Sequence, residues 1–215
     1  MPRANQVTTV YEKLRERIET GFYSPAESLP EVRLATEYGV SRNTVKKALL
    51  MLESDAFVTI EQNKGAKVRN YSRQEVLDYL DLRVELEGFI TRLAVPCITK
   101  KDVRRLEGIF EQMTACRENG DLLGYSAQNL LFHTVIYDAC PNRTAAEILT
   151  RLKTQMRKYN AKTILVPRRD EHSWEEHRAI LDAIRAGDAA EAERCIRLHI
   201  ENVRRTYDEF FTLFF

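Results

Sequence analysis

The sequence predicts a mainly α-helical chain with a small N-terminal domain that contains a β-hairpin and a larger all-helical domain after it. Two observations predict this division. Apolar residues recur at helical spacing over most of the 215 residues, whereas a strand pattern followed by a turn signal occurs near residues 57–69 and nowhere after Ser72. We therefore expect two domains, residues 1–70 and residues 74–215.

Three helices are predicted before the hairpin. The first ends near Gly21, and its apolar residues recur at helical spacing: Val7, Val10, Leu14 and Ile18. The second covers residues 31–38, because Pro30 suits a helix start and Gly39 can adopt the left-handed conformation that ends a helix. A third helix follows within a few residues, so the pair forms a helix-turn-helix.

The third helix has two different faces. Ser41 is a good N-cap, and the apolar residues that follow lie at i, i+3, i+4 and i+7: Val45, Ala48, Leu49 and Leu52. After the helix, residues 57–61 alternate, residues 63–65 form a turn signal and residues 66–69 read as a returning strand. Three helices and a two-stranded ribbon constitute a winged helix-turn-helix.

The second domain is predicted to be a helical bundle. Capping boxes, prolines and glycines divide it into six helices, at about 72–94, 99–118, 121–139, 143–160, 173–186 and 189–212. A bundle of this size can enclose a ligand pocket.

Composition excludes several classes. No apolar stretch approaches ~20 residues, so neither a membrane span nor a signal peptide is predicted. The four cysteines are scattered without a C-x-x-C pair, which is typical of reduced thiols in a cytoplasmic protein. Because the formal net charge is only +1, any nucleic-acid interface must depend on where the charges are placed.

The N-terminal end of the third helix is the candidate DNA-binding element. In a helix-turn-helix this end enters the major groove. Its polar residues are Ser41, Arg42, Asn43, Thr44 and Lys46. Arg42 and Asn43 can bind guanine and adenine edges, while Ser41 and Thr44 can reach phosphates. Lys64 and Gly65, at the wing tip, can touch phosphate or the minor groove. The alternative is a solvated polar face with no partner.

Residues 10–69 resemble the N-terminal domain of GntR-family transcriptional regulators. The most specific segments are LPEVRLATEYGVSRNTVKKAL and the wing NKGAKVR. The resemblance implies operator binding, with two departures. The family usually has an arginine where Val32 stands, so the adjacent Arg33 becomes a candidate contact. Lys46 replaces the usual arginine of the recognition helix, which keeps the charge but loses the bidentate fork.

Three of the four histidines fall in predicted helices of the second domain. They are His133, His177 and His199, and Asn129 lies four residues before His133, on the same helix face. Imidazoles that converge inside a bundle suit a first-row metal ion. The alternative is that these histidines bind nothing.

Residues 75–207 resemble the FCD effector domain of the FadR-like branch of this family. The similar segments are LRVELEGFITRLA, FHTVIYDACPN, EHRAILDAI and AEAERCIRLHI. The resemblance implies a divalent metal ion (Zn, Ni or Mn) bound by His133, His177 and His199. Asn129 stands where the family has an aspartate, and its uncharged oxygen should weaken the affinity. The rival is a metal-free polar pocket in which the same side chains hydrogen-bond a ligand.

The same resemblance implies that Arg83 binds a carboxylate of the effector. The alternative is an i,i+4 ion pair between Arg83 and Glu87.

The sequence thus predicts a transcriptional regulator, in the first place a repressor, that binds a palindromic operator as a homodimer and responds to a small organic or sugar acid. One alternative is a metal-responsive repressor without an organic effector. A remote alternative is a three-histidine metalloenzyme, which would leave residues 1–70 without a role.

Overall fold

The structure, a computed structural model, describes residues 3–61, 65–156 and 163–213. The chain divides into two compact units. One consists of Met1–Ser72 with Thr154–Lys158, and the other of Arg73–Lys153 with Tyr159–Phe215. No helix in the described ranges is long and apolar enough to cross a bilayer.

Three helices form most of the first unit: α1 (Arg3–Glu19), α2 (Glu31–Tyr38) and α3 (Arg42–Ser54). The turn between α2 and α3 depends on Gly39, whose φ of 63° is accessible to glycine at little cost. Apolar side chains from all three helices and from the sheet share one core, which includes Leu14, Leu34, Leu49 and Val68. The predicted limits of α2 are confirmed.

The sheet has three strands rather than the predicted two. They are β1 (Ser28–Leu29), β2 (Val58–Glu61) and β3 (Gly65–Val68), and they pair antiparallel in the order β1-β3-β2. The prediction missed β1 because two residues are too few to show an alternating pattern. It also placed the return strand one residue too late, since Gly65 already pairs with Glu61.

Six helices lie wholly or mostly in the described part of the second unit. They are α4 (Arg73–Ala94), α5 (Lys100–Glu118), α6 (Leu122–Ala139), α7 (Arg143–Gln155), α8 (Arg169–Ala186) and α9 (Ala189–Glu209). Short 3₁₀ turns occupy Val95–Cys97, Thr163–Leu165 and Phe211–Leu213. Side-chain caps start several helices; Thr99 and Asp102 cap α5 reciprocally, as a capping box.

Three helix limits after Ser72 differ from the prediction by more than one residue. Helix α8 begins at Arg169 rather than at residue 173, directly after Arg168, which adopts a left-handed φ of 64° that no residue pattern signals. Helix α7 ends at Gln155, and the part of the predicted fourth helix over residues 157–160 lies outside the described residues. Helix α9 ends at Glu209, three residues before the predicted end.

Candidate DNA-binding surface and candidate metal centre

Helix α3 separates an apolar face from a polar tip. The Ser41 hydroxyl accepts a hydrogen bond from the Thr44 backbone N–H at 3.1 Å and so caps the helix. Four apolar side chains anchor the opposite face in the core: Val45, Ala48, Leu49 and Leu52. Five polar side chains remain exposed at or near the tip: Ser41, Arg42, Asn43, Lys46 and Lys47.

The other predicted DNA contacts differ in exposure. Thr44 is buried, and its hydroxyl lies 2.9 Å from that of Ser41, so it supports the cap. Arg42 keeps 69% of its side chain exposed beside Glu31. Arg33 and Gly65 are exposed. Lys64 lies outside the described residues.

Three buried histidines from three helices converge in the second unit. His133 lies on α6, His177 on α8 and His199 on α9, and one nitrogen of each ring lies within 4.8 Å of the others. The Nε2 atoms of His133 and His177 are 3.2 Å apart. The Asn129 Oδ1 atom lies 2.9 Å from the Nε2 of His177. The structure therefore brings together all four residues that the sequence proposed as ligands.

The Nδ1 atom of each ring has a protein acceptor. His133 Nδ1 lies 3.1 Å from Glu87 Oε2, His177 Nδ1 lies 2.6 Å from the Ser173 carbonyl oxygen, and His199 Nδ1 lies 2.6 Å from Glu176 Oε2. Since these oxygens accept, each Nδ1 must carry the proton. Each Nε2 then presents a lone pair, which is how protein ligands to metal ions are oriented.

Burial keeps the three rings neutral. It lowers the pKa of His133 and of His177 to about 3, and that of His199 to about 4, although Glu87 and Glu176 act in the opposite direction. Neutral imidazoles with no proton between their inner nitrogens repel one another unless a cation or a donor lies between them. The donor set therefore fits a divalent metal ion. Without one, the Asn129 amide group could turn its NH₂ toward His177 as a donor.

Arg83 forms the ion pair that the sequence offered as the alternative to effector binding. Its Nε donates to Glu87 Oε1 at 2.6 Å, and both side chains are buried. Glu87 also accepts from the Tyr137 hydroxyl at 2.5 Å and lies 3.6 Å from the Lys153 ammonium group. Burial raises the pKa of Glu87, but the neighbouring cations outweigh burial and lower it well below 4.5.

Sequence reasoning missed most of the residues around the histidines. Ser173 and Tyr137 each lie four residues from a histidine on the same helix, so helical spacing could have found them. Glu176 and Lys153 gave no comparable signal. Burial raises the pKa of Glu176, yet its hydrogen bond to His199 and the charge of Arg169 prevail and lower it to about 2.

Comparisons with known proteins match one family to the first unit and a second family to the second unit. Residues 6–68 match the family described as bacterial regulatory proteins, gntR family, and residues 78–202 match the FCD domain. The chain is 26% identical over 198 residues to the HTH-type transcriptional repressor GlaR of Escherichia coli (strain K12), covering 88% of this chain and 90% of GlaR.

Two further relatives span nearly the whole chain. The gluconate operon transcriptional repressor of Bacillus subtilis (strain 168) is 26% identical over 214 residues, which are 97% of this chain and 85% of that protein. The solved structure of E. coli McbR/YncC shares the fold, with a TM-score of 0.73 at 23% identity over 95% of this chain and 98% of its own. The chain therefore belongs to the gntR family of bacterial regulatory proteins and carries an FCD domain, which makes it a DNA-binding transcriptional regulator and not an enzyme.

Proposed function

We propose that the protein is a repressor that binds a palindromic operator as a homodimer, with the exposed tip of α3 in the major groove. The observation that carries this proposal is the division of α3 into a buried stripe and an exposed polar tip. Arg42 and Asn43 read base edges, whereas Ser41, Lys46 and Arg33 reach phosphates or neighbouring bases. Gly65 contacts the DNA backbone or the minor groove from the wing, and Lys64 stays a predicted contact there.

One α3 helix can read only one half-site. A homodimer with two-fold symmetry would present two such helices to two half-sites, which is the basis for expecting a palindrome. Thr44 contributes by holding Ser41 in place, because its own hydroxyl is buried.

The second unit would hold a divalent metal ion, Zn, Ni or Mn, on His133, His177 and His199, with Asn129 as a neutral fourth ligand. When bound, the metal ion would supply coordination positions for the oxygen atoms of a small organic or sugar acid. The chain's own residues orient the rings: Glu87, Ser173 and Glu176 hold the Nδ1 protons. The effector changes operator affinity only if it binds the DNA-bound and free conformations unequally.

Selection from a random duplex library with the full-length protein tests the operator proposal. We expect the recovered sites to be palindromic. The double variant R42A/N43A should lose at least tenfold in affinity for the selected site while keeping its affinity for unrelated DNA, because a good base contact contributes ~1–3 kcal/mol of discrimination. The variant K47A, on the same helix, is the control. If R42A/N43A discriminated between the selected site and unrelated DNA as well as the wild type does, α3 would not be the element that lies in the major groove.

Metal analysis of dialysed protein tests the second half of the proposal. We expect about one divalent ion per chain in the wild type and in H172A, since His172 is exposed and lies five residues from His177 on the same helix. The variant H177A should lose the ion. Equal metal contents in H177A and H172A would refute the assignment.

One observation favours a metal-responsive repressor with no organic effector: the guanidinium of Arg83 already forms a buried ion pair with Glu87. Titrating the chelated protein with zinc distinguishes the two candidates. Operator affinity that responds fully to zinc alone supports metal sensing, whereas a response that also requires an acid supports the organic effector.

A further inference from the structure

Two helices of the second unit line up polar residues at intervals of four. On α6 these are Tyr125, Asn129, His133 and Tyr137, and on α8 they are Arg169, Ser173 and His177. Residues four apart share a helix face, and contacts among the described members show that the two rows meet. We call these seven residues the polar seam. The histidines lie in its middle, so the seam has two ends that can be compared.

Every polar group at the Tyr137 end has a partner. The Tyr137 hydroxyl donates to Glu87 Oε2 and accepts from Lys153 at 2.7 Å. Arg83 Nε donates to the other oxygen of Glu87, and no buried nitrogen of Arg83 is without a partner among the described residues. In the part of the chain that the structure describes, none of the buried side-chain nitrogen and oxygen atoms of these residues lacks a hydrogen-bond partner.

The Tyr125 end has a surplus of donors. Arg169 is only 5% exposed, and its Nη2 donates to Glu176 Oε2 at 2.8 Å. Its Nε and Nη1 atoms are buried and have no hydrogen-bond partner among the described residues. The Tyr125 hydroxyl is also buried and makes no hydrogen bond of normal geometry within the described ranges, although the neighbouring Ser173 side chain acts to lower its pKa against the effect of burial. Such unmet groups are costly, and native structures contain few of them.

The neighbouring carboxylate cannot absorb this surplus. Glu176 already accepts from Arg169, from His199 Nδ1 and, through Oε1, from Asn202 at 2.8 Å. The Arg169 guanidinium carries N–H donors and has no acceptor atom. The three N–H groups on Nε and Nη1 of Arg169 and the phenol O–H of Tyr125 thus remain, and a negatively charged group made of acceptors matches them.

The backbone just before Arg169 adopts an unfavourable conformation that turns the Arg169 side chain toward the interior. Arg168 adopts a φ of 64°, in the left-handed region that a non-glycine residue rarely occupies. Its own side chain is 74% exposed and pairs with Glu171 on the surface. Arg169 then becomes the first residue of α8, where the helix dipole adds to its attraction for an anion.

We infer that Arg169 and Tyr125 form a carboxylate subsite at this end of the polar seam, and that it, rather than Arg83, holds the acid group of the effector. This inference rests on the proposed role of the second unit as an effector domain. Tyr125 lies one helical turn from Asn129, about 6 Å along α6, so a small acid with a further oxygen donor reaches both the subsite and the histidines.

Acetate, the smallest stable probe of this chemistry, tests the subsite in the full-length protein. Sodium acetate replaces sodium chloride at constant ionic strength, and thermal unfolding is followed by the fluorescence of Trp174, the single tryptophan. We expect a saturable rise in Tm with acetate and none with acetamide. R169M should abolish the rise, whereas R168M, which removes the adjacent exposed arginine, should keep it.

The variant H177A separates the subsite from the metal proposal. If the histidines bind no metal ion but the subsite is real, acetate still stabilises both the wild type and H177A. If acetate stabilises R169M but not H177A, it binds at the histidines and the subsite is refuted. No saturable response in the wild type also refutes it.

A second pair of variants protects the test against a misfolded R169M. Y125F removes a hydroxyl that makes no hydrogen bond of normal geometry within the described residues, so the Tm without acetate should stay equal or rise while the acetate affinity falls severalfold. Y137F, on the same helix as Tyr125, removes a hydroxyl that contacts Glu87, His133 and Lys153, and should lower the Tm. A Y125F protein destabilised as much as Y137F would show that the hydroxyl is already satisfied and would overturn the inference.

Discussion

Replacing Glu87 with glutamine tests whether one buried carboxylate holds the Tyr137 end of the polar seam together. Glu87 is fully buried and faces two cations, with Arg83 Nε at 2.6 Å and Lys153 Nζ at 3.6 Å. Its other oxygen accepts from Tyr137. The variant E87Q is nearly isosteric, so it changes charge and hydrogen bonding with almost no change in volume.

The expected loss follows from what remains after the substitution. Arg83 keeps its charge without a counterion, and Lys153 loses the carboxylate that raises its pKa. The glutamine NH₂ group must also face one of the four donors around it, which belong to Arg83, Lys153, Tyr137 and His133. Removing one partner of a buried ion pair costs about 3–5 kcal/mol. The control is E85Q, two residues away on α4, because Glu85 pairs with Arg197 while its own side chain is 68% exposed. An exposed pair contributes only about 0–1 kcal/mol.

Urea unfolding of metal-free protein at pH 7, followed by Trp174 fluorescence, measures both losses in the second unit. We expect E87Q to be destabilised by about 3 kcal/mol or more relative to the wild type, and E85Q by less than about 1 kcal/mol. The reasoning fails if the two variants unfold at the same urea concentration, since burial would then make no difference to the ion pair.

Burial lowers the pKa of Lys153 to about 8, whereas the lysine of the unfolded chain titrates near 10.5. Between these two pH values the unfolded chain binds more protons than the folded one, so the free energy of unfolding should rise with pH by ~3 kcal/mol. Urea titrations at several pH values should show this slope, and K153M should lack it. G39A forces a side chain into a left-handed φ and should cost ~1 kcal/mol of stability in thermal unfolding, whereas G108A, inside α5 with open space around it, should stabilise slightly. L52A, at a fully buried position, should lose about 2–5 kcal/mol in denaturant unfolding, and the half-exposed M51A far less; equal losses would contradict the burial of the α3 stripe.

The fold was predictable wherever a local pattern and its physical cause coincide. The limits of α2 and the cap of α3 follow from Gly39 and Ser41, whose backbone and side-chain preferences act within a few residues. Strand β1 was not predictable, because two residues paired to β3 across more than thirty positions carry no periodicity. The start of α8 was missed because the left-handed Arg168 breaks a local rule.

The candidate site was also predictable in part, where residues lie at helical spacing, and not where contacts join different helices. Helical spacing connects Asn129 to His133. The resemblance and the geometry therefore select the same four residues, which are Asn129 and the three histidines. The partners of Arg83 and Arg169 depend on contacts between different helices, and no spacing along the chain specifies which carboxylate meets which guanidinium. Only the structure shows that one arginine is satisfied while the other retains unused donors.

The split character of α3 has a consequence for how such a protein changes over time. Its anchoring side chains face inward, and Arg42, Asn43 and Lys46 make no contribution to that packing. Substitutions at these three positions should therefore alter which promoters the protein recognises while leaving its thermodynamic stability within about 0.5 kcal/mol. A lineage, or a designer, can accordingly redirect the regulator to new genes by successive single changes without passing through unfolded intermediates.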